Sequence, residues 1–230
     1  MTSPLEYYEK NLYPLQDGVL NIISQSGTGF FLTGGTALSR AYYHHRYSDD
    51  LDFFVNSSVE FDEQMESIFS QLTENGFVWD TSSEFIRADN FVSFKVRRGN
   101  PDILLKLDFV NDLVPHFGPL VKTGLFDRTD SIQNILSNKI SALFRYAAKD
   151  VADLREIFLH EKIDWPEIFA EAREKEAGIE IPLVCEIITG MPEAEFDGVK
   201  WIRKPRWEDF RADIVSMAEA MLGQPAARLS

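Results

Sequence analysis

Only one cysteine, Cys185, occurs in the 230 residues, so no internal disulfide framework holds the chain, and a single thiol fits a reducing compartment. Positive charge is scarce as well. Against 37 aspartates and glutamates stand 23 lysines and arginines, leaving a net charge of −14 and a pI near 4.7. That balance excludes a protein that coats long stretches of nucleic acid, which needs a broad basic surface to neutralise phosphates. It leaves room for a small basic patch. No apolar run approaches the ~18 residues of a membrane-spanning helix. The first ten residues, MTSPLEYYEK, combine neither the basic start nor the apolar stretch of a secretory leader. A cytoplasmic protein without a membrane partner is expected. Also missing are a GxxxxGK[ST] loop, a CxxC pair and an HExxH pair, which removes P-loop ATPases and common zinc sites. Gly27-Thr28-Gly29 is not a dinucleotide fingerprint, because the third glycine position is Leu32 and the glycines precede the apolar strand. No repeat or low-complexity tract is present.

Apolar residues make up 44% of the chain, enough for one large core or two small ones. The most informative stretch is FFLTGGTALSRAYYHHRYSDDLDFFV, from Phe30 to Val55. Its apolar start reads as a strand, Thr33-Gly34-Gly35-Thr36 as a turn, and Ala37 to His44 as a helix. Unpaired backbone N–H groups at such a turn lie at the positive end of a helix dipole and suit an anion such as phosphate. Farther on, period-2 alternation puts Asp50, Asp52 and Phe54 on one strand face and Leu51, Phe53 and Val55 on the other. Two carboxylates about 7 Å apart at their Cα atoms are costly on a core strand unless a hard cation sits between them. Mg²⁺ with a nucleotide is the usual occupant of an oxygen-only site. The aspartate run is strand-like and lacks the glycine of an EF-hand's sixth loop position.

The spacing of Gly34-Gly35-Thr36 followed by Arg46-x-Ser48-x-Asp50-x-Asp52-Phe53 resembles the DNA polymerase β-like nucleotidyltransferases. Within them it is most similar to the AbiEii/AbiGii toxin family of bacterial toxin–antitoxin and abortive-infection pairs, over nearly the whole chain. The resemblance implies NTP as substrate and Mg²⁺, with Mn²⁺ as a substitute, as cofactor. It implies that Asp50, Asp52 and Asp108 are the catalytic and metal-holding carboxylates. It counts Gly34, Gly35, Thr36, Ser48, Lys139, Asp150 and Asp153 as nucleotide-binding. RNA, above all a tRNA 3′ end, is the favoured acceptor, and a cognate antitoxin is the expected protein partner. The residues leave open transfer to a small molecule or a protein side chain, and a non-catalytic partner-binding module on the same fold.

The remaining chain supports an α+β fold with an α/β nucleotidyltransferase domain over residues 1–122 on a short mixed sheet. A helical domain over 123–230 would close the nucleotide cleft. Ser3-Pro4-Leu5-Glu6 reads as a capping box, and Pro14 is expected to kink or divide the helix it opens. Asn56-Ser57-Ser58 can cap a helix with Phe61, Met65, Ile68, Phe69 and Leu72 on its buried face. Phe91 to Arg98 and Asp102 to Val110 alternate as strands around Gly99-Asn100-Pro101. On the second of them Asp108 shares a face with Leu104 and Lys106. Its bland reading is an edge-strand charge paired with Lys95 or Arg97.

Past the polar connection 115–130 all segments read as helices: 131–146, one from Lys149, one opened by Asp164-Trp165-Pro166-Glu167, Ile181 to Thr189, and Trp207 to Leu222. Lys139 falls inside an apolar stripe, so it either snorkels or faces an anion. With the N-terminal carboxylates claimed by metal, a triphosphate is the expected counter-charge. Asp150 and Asp153 are read equally as site residues or as solvated charges of a surface helix, Lys149 and Asp153 standing at i, i+4. His44 and His45, at a helix end, read as surface residues.

Overall fold

In the computed structural model, residues 3–79 and 84–223 are described. The chain divides into two compact units, Met1–Asp130 and Ser131–Ser230.

The first unit is built on a mixed sheet of β1 (Phe31–Thr33), β2 (Asp50–Asn56), β3 (Val78–Trp79), β4 (Ile86–Ala88), β5 (Phe91–Arg97) and β6 (Leu105–Asp112). Strand order is β1-β2-β6-β5-β3, with β4 also paired to β5. β2 and β6 run parallel and the other pairings are antiparallel. Alternation in sequence sets the faces. Leu51, Phe53, Leu105, Leu107 and Phe109 are fully buried, whereas Asp50, Asp52 and Asp108 on the opposite face are half-buried. The buried face is aromatic: Phe109 stacks on Phe53 and Phe94 at centroid distances of 5.2 and 5.9 Å and meets Phe30 edge-on at 4.9 Å.

Helices cover this sheet. Residues 4–25 form one helical rod: α1 (Pro4–Tyr7), a π-helical turn Tyr8–Leu12, and α2 (Tyr13–Gln25). Ser3 caps it, its hydroxyl accepting the Glu6 N–H. Pro14 lies just past the π turn, at the π-to-α change and in the first turn of α2. α3 (Gly34–Thr36) continues into a second π-helical stretch, Ala37–Tyr43. α4 (Phe61–Glu74) buries the expected stripe Phe61, Met65, Ile68, Phe69 and Leu72. Its start differs from expectation: Ser58 does not cap it, and Glu60 is the residue before the first turn. The cause is Asn111 of β6, which holds Ser58 by accepting its N–H at 2.8 Å and donating to its carbonyl at 3.0 Å. Residues 115–130 stay with the first unit because they cover the free edge of β1. Leu32 N–H donates to the Arg128 carbonyl, and Asp130 N–H to the Leu32 carbonyl.

In the second unit lie α5 (Ile132–Ala142), a 3₁₀ turn Leu143–Arg145, α6 (Ala148–His160), α7 (Trp165–Lys175), α8 (Ile181–Thr189), α9 (Glu193–Asp197) and α10 (Trp207–Met221). Ser131 and Asp164 cap α5 and α7 through their side chains. Phe196, Trp201, Trp207 and Phe210 pack together, and Cys185 is buried and free. Among the described residues no helix is long and apolar enough to cross a membrane.

Phe109 is the ring on which the sheet's buried face converges. Phe109→Ala is expected to cost the first unit about 3–5 kcal/mol, read as a lower midpoint in denaturant unfolding, and a change under 1 kcal/mol would contradict this account of the core.

Candidate functional site

The site grows from the end of β1. Thr33 is buried and its hydroxyl donates to Asp130 Oδ2 at 2.5 Å; His116 Nε2 lies 2.9 Å from the other oxygen of that fully buried carboxylate. With the strand end pinned, the chain turns at Gly34, whose φ of +69° is the left-handed region open to glycine. A Cβ on Gly34 would lie 2.3 Å from Asp52 Oδ2, and one on Gly35 2.4 Å from Arg46 Nη2. The two glycines therefore let the Asp52 carboxylate and the Arg46 guanidinium pack directly against backbone. Thr36 is buried and its hydroxyl donates to the Asp50 carbonyl. It fastens the turn to β2. The Ser48 hydroxyl, also buried, reaches Asp50 Oδ1 at 3.4 Å.

β2 carries Asp50 and Asp52, and the parallel register sets Asp52 opposite Asp108 and Asp50 opposite Lys106. The structure thus brings Gly34, Gly35, Thr36, Ser48, Asp50, Asp52 and Asp108 to one end of one sheet. For Asp108 the edge-strand alternative is set aside. It is on a central strand, not an edge, and its ion pair is with Lys106, two residues earlier on the same face. Lys95 pairs instead with Glu84. The remaining oxygen of Asp108, Oδ1, is buried with no hydrogen-bond partner among the described residues. A buried carboxylate oxygen left unmatched is costly, and an all-oxygen donor set with such a vacancy fits a hard divalent cation. As the side chains stand, among the described residues no three His, Cys, Asp or Glu converge closely enough to hold a metal. Lys106 already neutralises one arm of Asp108.

Lys139, Asp150 and Asp153 come together within the second unit. Lys139 on α5 is buried, so the snorkelling alternative is set aside, and its Nζ lies 2.7 Å from Asp150 Oδ1 and 2.6 Å from Asp153 Oδ2. Both aspartates are fully buried on α6, which corrects the surface-helix alternative; Lys149 is exposed. Arg145 adds two bonds to Asp150, at 2.6 and 2.7 Å. Burial works against ionisation of Asp150, but Lys139 and Arg145 outweigh it and hold the carboxyl below its usual range. The expectation that Lys139 lacks a protein counter-charge is likewise corrected: two carboxylates supply it. His44 is exposed, with φ +54° at the helix end, whereas His45 is buried, contrary to expectation.

Two side chains that the sequence reading left without a role belong to the first cluster. Arg46 was visible as the first residue of the alternating run 46-48-50-52, and Lys106 as the residue two before Asp108 on the same strand face. Only the register, which seats Lys106 across from Asp50, shows why it matters.

A glycine turn is thus fastened to a strand with two carboxylates, with a third carboxylate on the parallel neighbour, and the chain is a nucleotidyltransferase by family. The chain belongs to the AbiEii nucleotidyl transferase toxin family, of type IV toxin–antitoxin systems, whose model matches residues 19–228. Its fold is shared with JHP933 from Helicobacter pylori, at 18% identity over 91% of this chain and 90% of that chain, TM-score 0.66. It is shared also with MenT4, a nucleotidyltransferase toxin from Mycobacterium tuberculosis H37Rv, at 19% identity over 94% and 84%, TM-score 0.62. No curated protein sequence matches the chain.

Two outcomes are expected from these contacts. Gly34→Ala forces a side chain into a left-handed backbone and onto Asp52, and is expected to lower stability by at least about 1–2 kcal/mol in thermal unfolding; an unchanged melting temperature contradicts the packing. Lys139→Met removes the ammonium that Asp150 and Asp153 share, so a loss of about 3–5 kcal/mol is expected. Equal or greater stability of the methionine variant in urea would show that the cluster does not hold the second unit together.

Proposed function

We propose that this nucleotidyltransferase transfers a nucleoside monophosphate from an NTP to RNA, with a tRNA 3′ end as the favoured acceptor, and that it acts as the toxin of a pair with a cognate antitoxin. The observation that carries the reading is Asp52 in cross-strand register with Asp108, Asp50 on the same face of β2, and Asp108 Oδ1 buried and unmatched. Like carboxylates held side by side repel one another, and nothing in a sheet's packing rewards them. A ligand that brings positive charge does.

In this reaction an acceptor hydroxyl attacks the α-phosphorus in line, the bond to the bridging oxygen of the β-phosphate breaks, and pyrophosphate leaves. Asp50, Asp52 and Asp108 would hold Mg²⁺, which would supply charge neutralisation of the triphosphate and Lewis-acid activation. The chain does the positioning. Backbone N–H groups of the Gly34-Gly35-Thr36 turn face the phosphates at a helix start. The Thr36 hydroxyl, committed to the Asp50 carbonyl, keeps that turn at a fixed height over β2. Ser48 steers Asp50. The open oxygen of Asp108 completes that carboxylate set, while Lys106 holds its other oxygen. Family membership supports a nucleotide-binding role for Lys139, Asp150 and Asp153 too.

Purified protein incubated with each labelled NTP, Mg²⁺ and total RNA is expected to label RNA and release pyrophosphate. Asp52→Asn is expected to lose at least about a hundredfold in rate while staying folded. Label found on protein or on a small molecule in lysate would overturn the RNA assignment, and full activity of the variant would overturn the carboxylate assignment.

A further inference from the structure

Residues 47–49 lead straight into the strand that carries Asp50, and each is gripped by the N-terminal helical rod. Tyr8 stacks flat on Tyr47, ring centroids 4.1 Å apart and planes at 9°. Gln16 donates from Nε2 to the Ser48 carbonyl at 3.1 Å. The Tyr8 hydroxyl donates to Asp49 Oδ1. Gln16 is fully buried and its other end is used as well, Oε1 accepting from Arg40 Nη1 at 3.0 Å. Arg40 in turn pairs with Asp17 and lies over the Tyr13 ring. Burial and the bond to Asp49 push the Tyr8 hydroxyl well above its usual pKa, so it remains a donor throughout the neutral range.

The π-helical turn makes the grip feasible. In an unbroken α-helix, positions 8 and 16 stand about 80° apart around the axis. The turn Tyr8–Leu12 absorbs about one extra residue through its i→i+5 bonding, which reduces that offset to about 20°. Tyr8 and Gln16 thereby face the same way, onto 47–49. Neither belongs to the part of the chain that the family model matches, which begins at residue 19.

We infer that Tyr8 and Gln16 are positioning residues for the transfer reaction: by fixing the Tyr47-Ser48-Asp49 backbone they aim the Ser48 hydroxyl and, through it, the Asp50 carboxylate. The inference rests on the proposed nucleotidyl transfer. A segment ahead of the matched region thus sets how readily the carboxylates accept metal and nucleotide.

The test measures, by calorimetry, the Mg²⁺ concentration needed for half-maximal binding of the NTP that the wild type binds best, for wild type, Gln16→Met, Tyr8→Phe and Leu20→Ala. Gln16→Met keeps the volume and removes both hydrogen bonds; Tyr8→Phe keeps the stack and removes only the bond to Asp49. Leu20→Ala is a core control on the same rod that touches none of 47–49 through the contacts above. Gln16→Met is expected to raise the Mg²⁺ requirement about five- to tenfold, the equivalent of one hydrogen bond, and Tyr8→Phe about threefold or more. Leu20→Ala is expected to lower the melting temperature and keep the wild-type Mg²⁺ requirement. If Gln16→Met and Tyr8→Phe bind with the wild-type requirement, the positioning role is overturned and the proposed function stands. If the wild type binds none of the four NTPs, the proposed function itself falls, and the positioning role with it.

Discussion

The structure depends on one pairing, the parallel register of β2 and β6 that seats Asp52 beside Asp108. Alone, that register is unfavourable on its polar face, where carboxylates sit close together. What enforces it is the other face. Phe53 and Phe109 are register partners, stacked and fully buried, and a slip of one residue would exchange phenylalanines for aspartates in the core. The hydrophobic effect on one side of the sheet holds electrostatic strain on the other. The backbone positions of Asp52 and Asp108 are thereby fixed by packing on the other face of the sheet.

The two carboxylate clusters handle charge in opposite ways. Lys139 and Arg145 meet Asp150 and Asp153 in a buried cluster whose formal charges cancel. In the first unit the trio of aspartates has Lys106 close by and still leaves an oxygen of Asp108 unmatched. Removing a partner from a closed cluster mainly affects folding. Altering an open one mainly affects what binds.

Much of this was legible in the sequence. Strand alternation placed Asp50, Asp52 and Asp108 on polar faces without coordinates, because a period of two admits no other reading once Phe53 and Phe109 are assigned inward. The glycine pair was equally visible, but not its use. Besides the backbone N–H groups read from the turn, the missing side chains make room for Asp52 and Arg46. Long-range partners were beyond reach: Lys139 was recognised as inward-facing, yet its counter-charges lie on the next helix, and helical periodicity says which way a residue points, not what it meets. The start of α4 was misplaced for the same reason. A local serine signal was overruled by Asn111, more than fifty positions away. π-helical turns leave no comparable signature, since an extra residue in a helix looks like an ordinary drift of its apolar stripe.

The parallel β2–β6 ladder also bears on how the protein is made. Parallel neighbours cannot close through a tight turn, and here the partners Asp52 and Asp108 are separated by α4 and three further strands. Non-local pairing of this kind forms late, after loop-closure entropy has been overcome. On the ribosome, a chain that has emerged only as far as β5 has the glycine turn and the first two carboxylates but no strand to hold them in register. The sheet is therefore completed only once β6 is free to insert at its centre, so the carboxylates of β2 meet Asp108 late in the synthesis of the first unit.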